Sequence, residues 1–123
     1  MSKQEQLTDR IKQLLIDMPE LKAVFLTTLD GMPITQATGP GFTGEPNRMA
    51  AMAAAALGVG RRISDTFGSG TLRETTFNGT EGQVFLFAAG DNAVLVIVAA
   101  REANTGLIRI EAQQASEDIA AIF

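Results

Sequence analysis

The stretch Pro46–Phe67 restricts the possible architectures more than any other part of the chain. It reads Pro-Asn-Arg-Met-Ala-Ala-Met-Ala-Ala-Ala-Ala-Leu-Gly-Val-Gly-Arg-Arg-Ile-Ser-Asp-Thr-Phe. Alanine heads the helix-propensity ranking and a proline suits the first helical turn, so the stretch predicts one long helix. Met49, Ala53, Ala56, Gly60, Ile63 and Phe67 recur at helical spacing and mark the expected apolar stripe, widened by Met52, Ala55 and Val59. Ala50, Ala54 and Leu57 leave much of the remaining surface small and apolar as well. Such a helix has neighbours on more than one side. In a chain of 123 residues, one neighbour is its own sheet and the other belongs to a second molecule.

That length predicts one domain, residues 1–123, with a single core. The sequence has no histidine and no cysteine. It therefore lacks the commonest metal ligands, the usual general base, and every Ser-His or Cys-His nucleophile. No cofactor or metal site is expected, and the chain reads as a binding protein rather than an enzyme. A net charge of −4 and the absence of Trp and Tyr disfavour nucleic-acid binding. Met1–Ile11 carries charge without a long apolar run, so no signal peptide or membrane span is expected and the reading is cytoplasmic.

Ser2-Lys3-Gln4-Glu5 fits a capping box, opening a helix with the stripe Leu7, Ile11, Leu14, Leu15 and Met18 that Pro19 closes. Lys22–Leu29 is the first strand, with Val24 and Leu26 on one face and Phe25 and Leu29 on the other. Asp30-Gly31 predicts a two-residue hairpin, returning as a weakly alternating, polar strand over Met32–Thr38. A glycine-rich loop precedes the long helix, which ends near Gly68-Ser69-Gly70. Thr71–Phe77 is a third strand, polar in its middle. Gln83–Ala89 and Ala93–Ala100 are apolar on both faces and so central. The last helix starts near Asn104 or Thr105, with Ile108, Ala112, Ala115, Ile119 and Ile122 inward.

Hairpins pair strands 1 with 2, 3 with 4, and 4 with 5. Strands 2 and 3 are the polar edges, so strand 1 meets strand 5. The expected architecture is αββαβββα, of the α/β (α+β) class, with an antiparallel five-stranded sheet in order 2-1-5-4-3 and helices on both faces. An uncovered edge must be blunted or paired. The third strand, with Leu72, Arg73, Glu74, Thr75 and Thr76, is expected to pair with a second copy. That pairing brings the two long helices side by side.

Ala23-Val24-Phe25-Leu26-Thr27-Thr28-Leu29 with Asp30-Gly31-Met32-Pro33-Ile34, the Ala/Met/Gly-rich helix Met49–Ile63, and the strands Phe85–Ala89 and Val94–Val98 together resemble the dynein light chain roadblock family. Within it they are most similar to the bacterial MglB-like regulators of Ras-like GTPases. The likeness extends over nearly the whole chain, and its weight lies in the combination rather than in any single motif. It implies a profilin-like or longin-like fold, a homodimer through the third strand, and scaffolding or regulation of a small GTPase. It also implies that the partner meets the paired long helices, here through Met49, Met52, Ala56, Val59, Arg61 and Arg62. A structural adaptor without effect on nucleotide turnover, and a small-molecule sensor with a pocket under the Gly39–Glu45 loop, are the alternatives.

Gly39-Pro-Gly41-Phe-Thr-Gly44 spells Gly-x-Gly-x-x-Gly before a helix, yet it follows a hairpin strand and Pro40 removes a phosphate-binding N–H. It reads as a loop. No Walker A motif is present, so the chain is not itself the GTPase. Arg61 and Arg62 lie where positive charge suits a helix C-terminus, and a trans-acting arginine finger is the sharper alternative. Arg48, Arg61 and Arg62 are read as docking an acidic partner surface. Met49 and Met52 suit either the core or an adaptable contact. Asp30 is explained by turn chemistry alone.

Overall fold

A computed structural model describes every residue, Met1–Phe123. Its elements are α1 (Lys3–Asp17), β1 (Leu21–Thr28), β2 (Pro33–Thr38), α2 (Pro46–Thr66), β3 (Glu74–Asn78), β4 (Gly82–Ala89), β5 (Ala93–Ala100) and α3 (Thr105–Ile122). The five strands form one antiparallel sheet in the order β2-β1-β5-β4-β3, as the hairpins and edge polarity predict. Local chemistry sets the helix starts. Ser2 and Glu5 form a reciprocal capping box on α1, and the Asn104 side chain accepts from the Leu107 N–H on α3. Glu45 caps α2 by accepting from the N–H groups of Asn47 and Arg48, with Pro46 in the first turn.

Two apolar layers flank the sheet. On one face α1 and α3 bury Leu7, Ile11, Leu14, Ile108, Ala112 and Ile119 against Val24, Leu26, Phe85, Leu95 and Ile97. Each fully buried Leu or Ile contributes about 1.5–3 kcal/mol. On the other face α2 alone seals Ala53 and Leu57 onto Phe25, Leu86, Val94 and Val96. The register Phe25–Val96–Leu86–Thr75 runs beneath α2 from β1 to the outer strand β3. This is the single-domain profilin-like arrangement.

Four local expectations are corrected. The buried side of α2 is Ala50, Ala53, Leu57 and Ser64, turned from the expected stripe; Ile63 and Phe67 face solvent at 53% and 78% exposure. The Asp30-Gly31 hairpin has three loop residues. The Gly31 N–H donates to Thr28 O, the Thr28 N–H to Met32 O, and only Gly31 takes a positive φ, at 94°. A two-residue turn would strain Asp30, whereas a type I turn with a following glycine does not. Leu29, expected in the strand, belongs to this loop. Finally, β3 begins at Glu74: Leu72 is drawn half-buried against α2, leaving Thr71–Arg73 outside the ladder.

Candidate functional site

Two sheet edges are open to pairing, and they differ. β2 is guarded by α1: Gln4 Nε2 donates to the Ile34 carbonyl at 2.6 Å, and the Thr8 and Thr35 hydroxyls meet at 2.6 Å. Pro33 removes one donor from the same strand. β3 has no such cover. Its one side-chain tie to another element is Glu74, which accepts from Arg109 Nε of α3 at 2.7 Å on the α1–α3 face of the sheet. The free backbone edge of β3 is therefore the one available to another chain.

Above that edge stands one side of α2. Gly60 faces β3, where an added Cβ would lie 2.9 Å from Leu72 Cδ2 and 3.0 Å from Thr75 Oγ1. Residues three and four apart share a helix face, so Ala56, Gly60, Ile63 and Phe67 form one row over the edge. Met52 and Val59 flank it, 63% and 46% exposed. Schellman geometry closes the helix: the Ser69 N–H donates to Ser64 O and the Gly68 N–H to Asp65 O, leaving Phe67 projecting.

Of the residues expected to meet a partner, Met52, Val59 and Arg62 are exposed. Arg61 is half-buried, while Met49 and Ala56 pack partly on the sheet. The core reading of Met52 is corrected by its exposure. Arg61 and Arg62 precede the last turn of α2, which contains no basic residue, so the helix dipole does not account for them. Arg48, Arg61 and Arg62 make no ion pair; the two in the chain are Arg10–Asp118 and Arg109–Glu74. Sequence reading put Ile63 and Phe67 on the apolar stripe and not among the partner contacts, although extending Val59 by steps of four reaches both. Of the expected edge residues, Glu74, Thr75 and Thr76 lie in β3, while Leu72 and Arg73 do not.

The space under the Gly39–Glu45 loop is filled. Phe42 packs on Phe25 with ring centroids 5.7 Å apart, and Gly44 abuts Met49. A cleft of about 630 Å³ lies instead between Thr71–Glu74 and α3. Arg73, Arg109, Glu74, Asp91 and Glu117 all line it, so it carries charges of both signs. No three carboxylates converge as a metal site, and no helix is long and apolar enough to cross a membrane.

A profilin-like sheet covered on one face by a single helix with exposed apolar side chains defines the class of fold. The chain belongs to the Roadblock/LC7 domain family, whose sequence profile matches residues 7–99. It is 33% identical over 115 residues to the uncharacterized protein MJ1340 of Methanocaldococcus jannaschii, covering 94% of this chain and 98% of the relative. Its fold is similar to Myxococcus xanthus MglB, with a TM-score of 0.88 at 21% identity over 98% and 89% of the two chains. Another MglB, solved in a tetrameric arrangement, matches equally well at 18% identity, covering 99% and 90%. Acanthamoeba castellanii profilin IB shares the fold at TM-score 0.66 and 16% identity, covering 94% and 97%.

Proposed function

We propose that this chain is a homodimeric, non-catalytic regulator of a small Ras-like GTPase. Two copies join through β3, and their α2 helices together form the partner surface. The observation that carries this reading is the exposed α2 row of Met52, Val59, Ile63 and Phe67 beside the free edge of β3. A monomer gains nothing from leaving these side chains in water, whereas an association surface uses them. Ile63 and Phe67, nearest β3, serve the α2–α2 contact. Met52 and Val59, with Arg48, Arg61 and Arg62, serve the GTPase. The unpaired arginines supply positive charge on a chain of net charge −4 and suit an acidic partner surface.

The regulator works by positioning the GTPase's own catalytic groups or by tethering it, in the cytoplasm. Affinity capture from native lysate, with and without a non-hydrolysable GTP analogue, tests the reading. Capture of a GTPase whose hydrolysis or exchange rate the chain then changes supports it. Capture with unchanged rates favours the adaptor reading, and recovery of no GTPase in either condition contradicts both. The sensor reading is disfavoured because Phe42 occupies the space under its loop.

A further inference from the structure

The cleft between Thr71–Glu74 and α3 opens on the face of the sheet away from α2. Ser116 lines it, 8% exposed, and its Oγ is the one buried side-chain polar atom without a hydrogen-bond partner. Buried hydroxyls ordinarily find partners, so an orphan on a cleft wall marks a place where a bound group supplies one. The volume of about 630 Å³ suits a small molecule.

The charges around the cleft are sorted along α3. At one end Arg109 donates to Glu74, and Arg73 precedes that glutamate in the chain. At the other end the β4–β5 turn rests on α3, where a Cβ on Gly90 would lie 3.0 Å from Ala120 Cβ. Asp91 follows Gly90, and Glu117 stands one helical turn before Ala120, so both carboxylates belong to this end. Arg109 and Glu117 are about 12 Å apart along the helix. Ser116 and Gln113 lie between them. Glu74 already accepts from Arg109 and Thr76, whereas Arg73, Asp91 and Glu117 make no ion pair.

We infer that this cleft binds a free basic amino acid. Its carboxylate meets Arg73, its side-chain cation meets Asp91 and Glu117, and its α-ammonium donates to Ser116 Oγ. The two charged ends stand too far apart for one α-amino acid head group, so the second charge must sit at the end of a methylene chain. Two arginines against three carboxylates leave the lining acidic by one charge, which matches a ligand of net charge +1. A dicarboxylate would set like charge against Asp91 and Glu117, and no three carboxylates converge to hold a metal ion.

Titration calorimetry of the unaltered chain with L-lysine at low salt tests the inference. Saturable binding is expected, weakened about tenfold for norleucine, which lacks the side-chain cation, and for cadaverine, which lacks the carboxylate. Glu117→Gln is expected to weaken lysine about tenfold and to leave norleucine unchanged. Ser116→Ala is expected to weaken lysine several-fold while the Tm of the free protein stays level or rises, because the substitution removes an unsatisfied hydroxyl. A serine with only a structural role would instead lose Tm and keep the affinity. Absence of saturable lysine binding overturns the inference, as does equal binding of lysine, norleucine and cadaverine.

Discussion

Gly60 of α2 lies so close to Thr75 of β3 that a Cβ on the glycine would stand 3.0 Å from the threonine Oγ1. The missing side chain lets the helix descend onto the outer strand, which ties the position of the α2 surface to the free edge of β3. Gly58, two residues earlier, has nothing within 4 Å of an added Cβ. The two glycines therefore separate local from tertiary effects. Gly58→Ala is expected to raise stability by about 0.5–1 kcal/mol, the helix-propensity gain. Gly60→Val is expected to cost about 1–3 kcal/mol through overpacking. Urea midpoints at constant m-value measure both changes.

Leu57 and Met52 sit on opposite sides of the same helix, 1% and 63% exposed. Leu57→Ala opens the layer between α2 and the sheet and is expected to cost about 2–5 kcal/mol. Met52→Ala is expected to change stability by less than about 0.5 kcal/mol while weakening GTPase capture. Equal thermal shifts for the two variants would place Met52 in the core after all.

Asp118 of α3 accepts from Arg10 Nε of α1 at 2.9 Å, the tie between the two helices on the far face. The Arg10 hydrogen bond holds the carboxyl below its ordinary value of 3.8, partial desolvation opposes the shift, and Gln114 assists it. A carboxyl with a lower pKa in the folded state adds stability that is complete well above 3.8 and is lost as pH falls below it. The side chain is 43% exposed, so solvent screening holds the contribution under about 1 kcal/mol. Asp118→Asn is expected to be less stable at pH 7, with the gap closing as pH drops through that window. Unfolding curves of both proteins from pH 7 to pH 2 measure it.

Arg48, Arg61 and Arg62 lack carboxylate partners within the chain. Arg61→Ala with Arg62→Ala is expected to weaken GTPase binding roughly tenfold at low salt and less at high salt, as screened charge pairs do. Unchanged affinity across the salt series removes the docking role of both arginines.

The sheet order was legible because hairpins pairing strands 1 with 2, 3 with 4 and 4 with 5 leave little choice once polar residues mark the edges. The rotation of α2 was not. Ala50, Ala51, Ala53, Ala54, Ala55 and Ala56 cover nearly every direction around the axis, so apolar spacing is degenerate there. What fixes the rotation is tertiary: Leu57 fills the hollow over Leu86 and Val96, and Gly60 fits over Thr75. The start of β3 was misjudged for a related reason. Leu72 is as β-compatible as its neighbours, and only its contact beside Gly60 removes it from the ladder. Along the candidate surface, Met52, Val59 and Arg62 stood among the partner contacts that the family resemblance implies, while the spacing of Met52 pointed to the core. Ile63 and Phe67 were read only as part of the apolar stripe, whose Met49, Ala56 and Ile63 lie one residue out of step with the buried Ala50, Leu57 and Ser64.

The partner surface requires two copies of the chain. Light scattering after size exclusion at micromolar concentration tests this most directly. The predicted result is twice the 13.0 kDa chain mass for the unaltered protein, falling to the single-chain value in Thr76→Pro, which removes a β3 donor. A mass of 13.0 kDa for the unaltered protein contradicts the account.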